Sequence, residues 1–152
     1  MSAKQLREFF KEKKSKAESG HVGWEAKRNA WIKAIQNLYK VITEKYLAQP
    51  IADGTVTVLR EEERIAEFPG GIYIVPVLVL VVGDEQVVFF PKGLNIVGAT
   101  GRIDLRGDMG SKTIVRQPGN RWCVVETRTP TVKLTELNED SLLAALKSVM
   151  RK

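Results

Sequence analysis

The 152-residue chain holds one cysteine and one histidine. A single cysteine excludes a disulfide framework within the chain and a Cys-x-x-Cys zinc or redox site. A single histidine excludes a two-histidine metal site and any catalysis needing two imidazoles in one chain. No apolar run approaches the ~20 residues of a membrane helix; the longest, Ile72 to Val82, is interrupted by Pro76. Met1 to Lys16 lacks the apolar core of a signal peptide. These absences lead us to expect a cytoplasmic, bacterial protein without membrane insertion. Apolar residues at 43% and charged residues at 28% suit a folded globular chain.

What is present is unevenly distributed. The net charge is +6, and residues 1 to 49 hold 11 Lys or Arg against 5 Glu, which accounts for all of it. A local basic excess concentrates anions and speeds association without deciding the fold. Residues 1–49 read as a helical arm, and 50–152 as a β-rich domain with a C-terminal helix, together one folding unit.

In the arm, Ser2 can cap a helix to about Glu18 that carries Leu6, Phe9 and Phe10 at helical spacing. Ser19-Gly20 is expected to break it, glycine being the usual helix stop. A second helix is expected from about Val22 to Leu47. Trp24, Trp31, Ile35, Leu38 and Ile42 form one stripe, with Ile32, Tyr39 and Tyr46 beside it. So wide an apolar face predicts a large partner surface, either the sheet or a second copy of the chain, which makes Trp24, Trp31, Ile35, Leu38, Tyr39 and Ile42 candidate self-association residues.

Beyond Thr55 the period becomes two. Ile72 to Val82, apolar on both faces, reads as a central strand buried on both sides. Short strands follow at Gln86 to Phe90, Leu94 to Val97, Arg102 to Arg106, Lys112 to Gln117, Trp122 to Thr127 and Thr131 to Leu134. Glycine- and proline-containing turns join them, which predicts an antiparallel meander, or a partly closed barrel, of about seven or eight strands. Asn138 caps a last helix, with Leu137 and Leu142 at the staple positions and Leu142, Ala145, Leu146 and Val149 as its buried stripe. The fold class is therefore α+β: an N-terminal helical pair, the meander, and a C-terminal helix.

Chemistry-bearing patterns are sparse. Lys11, Lys13, Lys14 and Lys16 could neutralise phosphates, but Glu8, Glu12 and Glu18 are interleaved, and a solvated helix face explains the run as well. Gly93, Gly98, Gly101, Gly107 and Gly110 lack phosphate-loop or dinucleotide spacing and read as turn glycines. Arg102, Asp104 and Arg106 alternate onto one strand face, opposite Ile103 and Leu105, as a recognition strip or an ion-pair ladder. Arg106-Gly107-Asp108 spells an integrin-type tripeptide by coincidence. Glu61, Glu62 and Glu63 are consecutive and diverge. Asp104 and Glu126 would make a nuclease pair only on a mixed sheet flanked by helices. Cys123 between Trp122 and Val124 reads as a buried inert thiol, and His21 as a solvated hinge residue.

The stripe from Trp24 to Tyr46, the run Gly98-Ala99-Thr100-Gly101-Arg102-Ile103-Asp104-Leu105, Arg128-Thr129-Pro130 and the tail Leu137 to Met150 together resemble a group of small bacterial proteins without an assigned activity. That resemblance implies no catalytic residues. A strand meander closed by one C-terminal helix also looks like a pleckstrin-homology-type barrel, an analogy of architecture only. The expected function is non-enzymatic: a small intracellular interaction or regulatory protein, without cofactor or metal, that binds another protein or its own copy. Nucleic-acid binding through the basic arm is the alternative, and a hydrolase with an unrecognised site the distant one.

Overall fold

The structure is a computed structural model. It describes residues 2–67, 71–94 and 99–152, with residues 16–22 described by their backbone alone. All but Leu94 of the strand expected over Leu94 to Val97, the turn at Gly98 and the side chains of Lys16 and His21 lie outside the described residues.

Helix α1 (Ala3–Val41) begins at a capping box: the Ser2 hydroxyl accepts from the Gln5 N–H at 3.2 Å, and the Gln5 side-chain Oε1 accepts from the Ser2 N–H at 3.0 Å. It runs straight through Ser19-Gly20, so the expected break is absent. A glycine inside a helix costs only about 1 kcal/mol, and propagating an existing helix needs no new nucleus. The helix instead changes register at Ile42–Tyr46, a π-helical turn in which the Leu47 N–H reaches back to Ile42 O at 2.8 Å. A short α2 (Ala48–Ala52) follows.

Seven strands then form one antiparallel sheet in sequence order: β1 (Thr57–Glu67), β2 (Gly71–Val82), β3 (Glu85–Gly93), β4 (Arg102–Gly107), β5 (Gly110–Gln117), β6 (Arg121–Thr127) and β7 (Lys133–Glu136). β1 and β7 do not pair, so the sheet stays open and the barrel analogy fails at closure. Helix α3 (Glu139–Val149) ends the fold, with Asn138 Oδ1 accepting from the Ser141 N–H at 2.9 Å. The N-cap and the Leu137–Leu142 staple are as the sequence predicts, with both leucines buried.

The helices pack on one face of the sheet. Trp24, Trp31, Ile35, Leu38, Tyr39 and Ile42 of α1 and the π-turn join Leu142, Ala145 and Val149 of α3 in a single cluster with Leu78, Phe89, Ile103, Leu105, Ile114 and Val124. The six side chains expected to mediate self-association are at most 5% exposed. The sheet covers their stripes, and a second copy cannot reach them.

β2 is buried on both faces only from Val77 to Leu80; Ile72 is 69% and Ile74 49% exposed. It is also second in the sheet rather than central. The reason lies at Pro76. The β2–β3 ladder ends at Leu78–Phe89, and a proline without an N–H cannot extend it. Beyond that point the β1–β2 hairpin continues without β3. The Tyr39 hydroxyl fills the gap, lying 2.9 Å from Pro76 O and 3.1 Å from Phe89 O. Burial pushes this phenol's pKa well above its ordinary value. Tyr39→Phe is expected to destabilise the chain by about 1–3 kcal/mol, because two carbonyls lose their shared donor in the core. Urea denaturation measures it, and an unchanged midpoint would show that the hydroxyl does not bridge the strands.

Candidate interaction surfaces

The first surface is the N-terminal stretch of α1. Side chains 3–15 are all exposed, among them Leu6 at 45%, Phe9 at 51% and Phe10 at 59%. The two phenyl rings meet edge to face at 5.7 Å, and Lys13 Nζ lies 5.7 Å from the Phe9 ring centre. Phe10 precedes Trp24 by two heptads. At ~20° of drift per heptad, the arm's apolar face continues the face that, further along, packs on the sheet. Lys11, Lys13 and Lys14 are exposed on the same arm, which the structure leaves without a layer of the chain's own residues over it.

The second surface is the face of the sheet opposite the helices. Alternation sends Ile103 and Leu105 into the core and Asp104 to the other side with Arg102 and Arg106. The structure therefore brings this sequence-predicted trio together. Asp104 is only 7% exposed. Its carboxylate lies 2.8 Å from Arg102 Nε and 3.8 Å from an Arg106 terminal nitrogen, so this is a half-sheltered ion cluster rather than a surface ladder. Phe90 on β3 and Thr113 on β5 stand directly opposite Asp104. The Arg106 guanidinium lies 4.7 Å from the Phe90 ring centre. A register shift between Pro91 and Gly93 leaves Lys92 beside Phe90, Nζ at 5.4 Å from the ring. Arg128, just past β6, donates to Thr113 Oγ1 at 2.6 Å. Neither Lys92 nor Arg128 announces itself in the sequence: Lys92 shares the face of Phe90 by alternation but lies beyond the strand read as Gln86 to Phe90, and Arg128 reaches this face only through the path of the chain after β6.

The remaining candidates have structural explanations. Gly101 lies against the Trp31 ring, and a Cβ there would come within 2.2 Å of it. Gly107 lies against the Val149 carbonyl, 2.3 Å from such a Cβ. Asp108 of the tripeptide pairs with Arg151 Nε at 2.9 Å, which also reaches Asp84 and Glu85 and ties the end of the chain to two turns. Glu61, Glu62 and Glu63 lie along the edge strand β1, where charge discourages pairing with another sheet. Cys123 is buried. Glu126 approaches Lys112, the cross-strand neighbour of the core residue Leu105, so it faces away from Asp104 and the two cannot converge. Among the described residues no three of His, Cys, Asp and Glu gather as a metal site, and no helix is long and apolar enough to cross a membrane.

A groove of about 330 Å³ between α1 and β6–β7, lined by Asn37, Tyr46, Asn120, Arg121, Trp122 and Glu136, is open and of mixed polarity. No protein-family model matches the chain, and neither does any curated protein or solved structure.

Proposed function

We propose that this chain is a non-enzymatic interaction protein of the cell interior whose N-terminal arm docks on a macromolecular partner, another protein or a second copy of itself. The observation carrying this reading is a capped helix with every side chain from 3 to 15 exposed, three large apolar ones included. An isolated helix of this length is marginal in water, and the packed remainder of α1 holds this one in register. Its apolar face, with Lys13 lying on it and Arg7 and Lys14 along one side, then has a use only when something covers it.

The chain itself carries a matching surface. Ile72 and Ile74 are exposed on the far end of the β1–β2 hairpin, opposite Ala66 and Arg64, and Glu61, Glu62 and Glu63 lie along the same edge strand. An exposed apolar pair on the body suits the exposed apolar stripe of the arm, so a second copy is the first partner to test.

Replacing Leu6, Phe9 and Phe10 by Ser is expected to leave the body's stability within about 0.5 kcal/mol, as exposed positions do. The same change is expected to abolish association, read by light scattering as a fall from twice the 17.0 kDa chain mass to one chain. A wild-type chain that is monomeric at tens of micromolar would remove the second copy as partner. A large loss of stability in the triple variant would overturn the docking role itself, because the arm would then be part of the body.

A further inference from the structure

From the sheet face opposite the helices we infer a second binding site, for the phosphate backbone of a single-stranded nucleic acid, centred on Asp104 and framed by Lys92, Arg102, Arg106 and Arg128. It does not depend on the arm. The helical residues that pack on the sheet join the core cluster on the other face, so among the described residues no helical layer covers this one. Arg102 and Arg106 pair with Asp104, and Lys92 and Arg128 stand at its cross-strand neighbours Phe90 and Thr113. Arg102 directs two of its N–H groups to Asp104, and Arg106 approaches it only at 3.8 Å. A guanidinium has five such donors, so most of them have no protein partner among the described residues. The buried carboxylate sets the two arginines in place, and the Phe90 ring supports Arg106 and Lys92. The cations are thus held in position before any ligand arrives, which lowers the ordering cost of binding.

Three considerations select the ligand. Guanidinium forks match phosphate oxygens, and three of the four cations are arginines. The patch spans the interior strands β3 to β6, whose backbone groups are engaged by neighbouring strands. An acidic peptide would find no strand edge here to extend, which is how extended peptides usually bind sheets. A duplex is disfavoured as well, since its grooves admit a helix or a two-stranded ribbon but not the middle of a seven-stranded sheet. A single strand can lie across the face and bring successive phosphates to the cations.

The test is fluorescence anisotropy with a labelled oligothymidylate of about 12 nucleotides. Wild-type protein is expected to bind at micromolar concentration in about 50 mM salt, with log affinity falling against log salt at a slope near −3, about 0.7 for each of four phosphates. K92Q/R128Q is the informative variant, because no ion pair or hydrogen bond joins either residue to Asp104 and the half-sheltered Arg102–Asp104 pair is kept. It is expected to lower affinity about tenfold and to halve the slope to about −1.5. K11Q/K13Q/K14Q is expected to leave both unchanged. The inference is overturned by absence of binding in low salt, by an unaltered slope in K92Q/R128Q, or by loss of binding in the arm variant alone. Equal affinity for a duplex, or displacement by polyglutamate at equal charge, would overturn the choice of ligand.

Discussion

Trp31→Ala is expected to cost about 3–5 kcal/mol, the range for removing a large aromatic side chain from a packed core. Trp31 has no exposed surface. Its ring lies 5.9 Å from that of Trp122, with the Arg116 guanidinium 5.5 Å from its centre and the Gly101 backbone against its edge. It therefore joins α1 to β6, to β5 and to the segment leading into β4. Total stability of a domain this size is about 5–15 kcal/mol, so the loss takes a large share and a partly unfolded population is expected at 37 °C. Urea titration checks it: the midpoint falls while the slope with denaturant stays constant. Trp31→Phe separates packing from polarity. The indole N–H of Trp31 is buried with the Tyr73 hydroxyl as its neighbouring polar group and makes no close hydrogen bond among the described residues, and Phe removes that poorly met donor while keeping most of the ring. A cost below about 1.5 kcal/mol is expected for it. Equal losses in both variants would mean that the indole N–H has a partner.

Much of this architecture was legible in the sequence because local and global preferences agree. The stripe from Trp24 to Ile42 marks the core face of α1, and Asn138 with Leu137 and Leu142 marks the start of α3. The glycine and proline turns separate strands that prove to be neighbours in order. Where reading failed, tertiary context overrode a local signal. Strand β1 continues from Leu59 through Arg60-Glu61-Glu62-Glu63-Arg64 to Glu67. These residues are poor strand formers by composition, yet they suit an edge, where charge prevents sheet-to-sheet association. Gly20 carries a stop signal that the anchored helix does not obey. The width of the α1 stripe was read correctly, but a single sequence could not say whether sheet or second copy covers it. At the candidate site, alternation placed Arg102, Asp104 and Arg106 on one face, as found. Lys92 follows the same alternation from Phe90 but lies beyond the strand as read from the sequence, and Arg128 owes its place to the path of the chain after β6.

Gly101→Ala is expected to destabilise by about 3 kcal/mol, the upper end for overpacking a filled site. Its new Cβ would lie 2.2 Å from a Trp31 ring carbon, and φ is +157°, a conformation that side chains seldom adopt. The neighbours have no room to yield. The Thr100 N–H donates to Arg116 O at 2.7 Å and the Arg116 N–H donates to Gly101 O at 2.9 Å, which clamps the segment to β5. Arg116 Nε donates in turn to Thr100 O and Oγ1 at 3.2 and 3.1 Å, while its guanidinium lies over the indole the new methyl would strike. This account assigns Gly101 a packing role and leaves the Gly98 to Gly101 run no part in anion binding. It is separable from a purely conformational cost by a double-mutant cycle. In a Trp31→Ala background the ring is gone, and Gly101→Ala should then cost about 1 kcal/mol, leaving a coupling of about 2 kcal/mol between the two positions. Strict additivity would show that the backbone conformation, and not the indole, is what requires glycine there. Oligothymidylate affinity in the folded fraction of the Gly101→Ala variant is expected to match wild type, because Gly101 lies beside the indole on the core side rather than among the cations around Asp104.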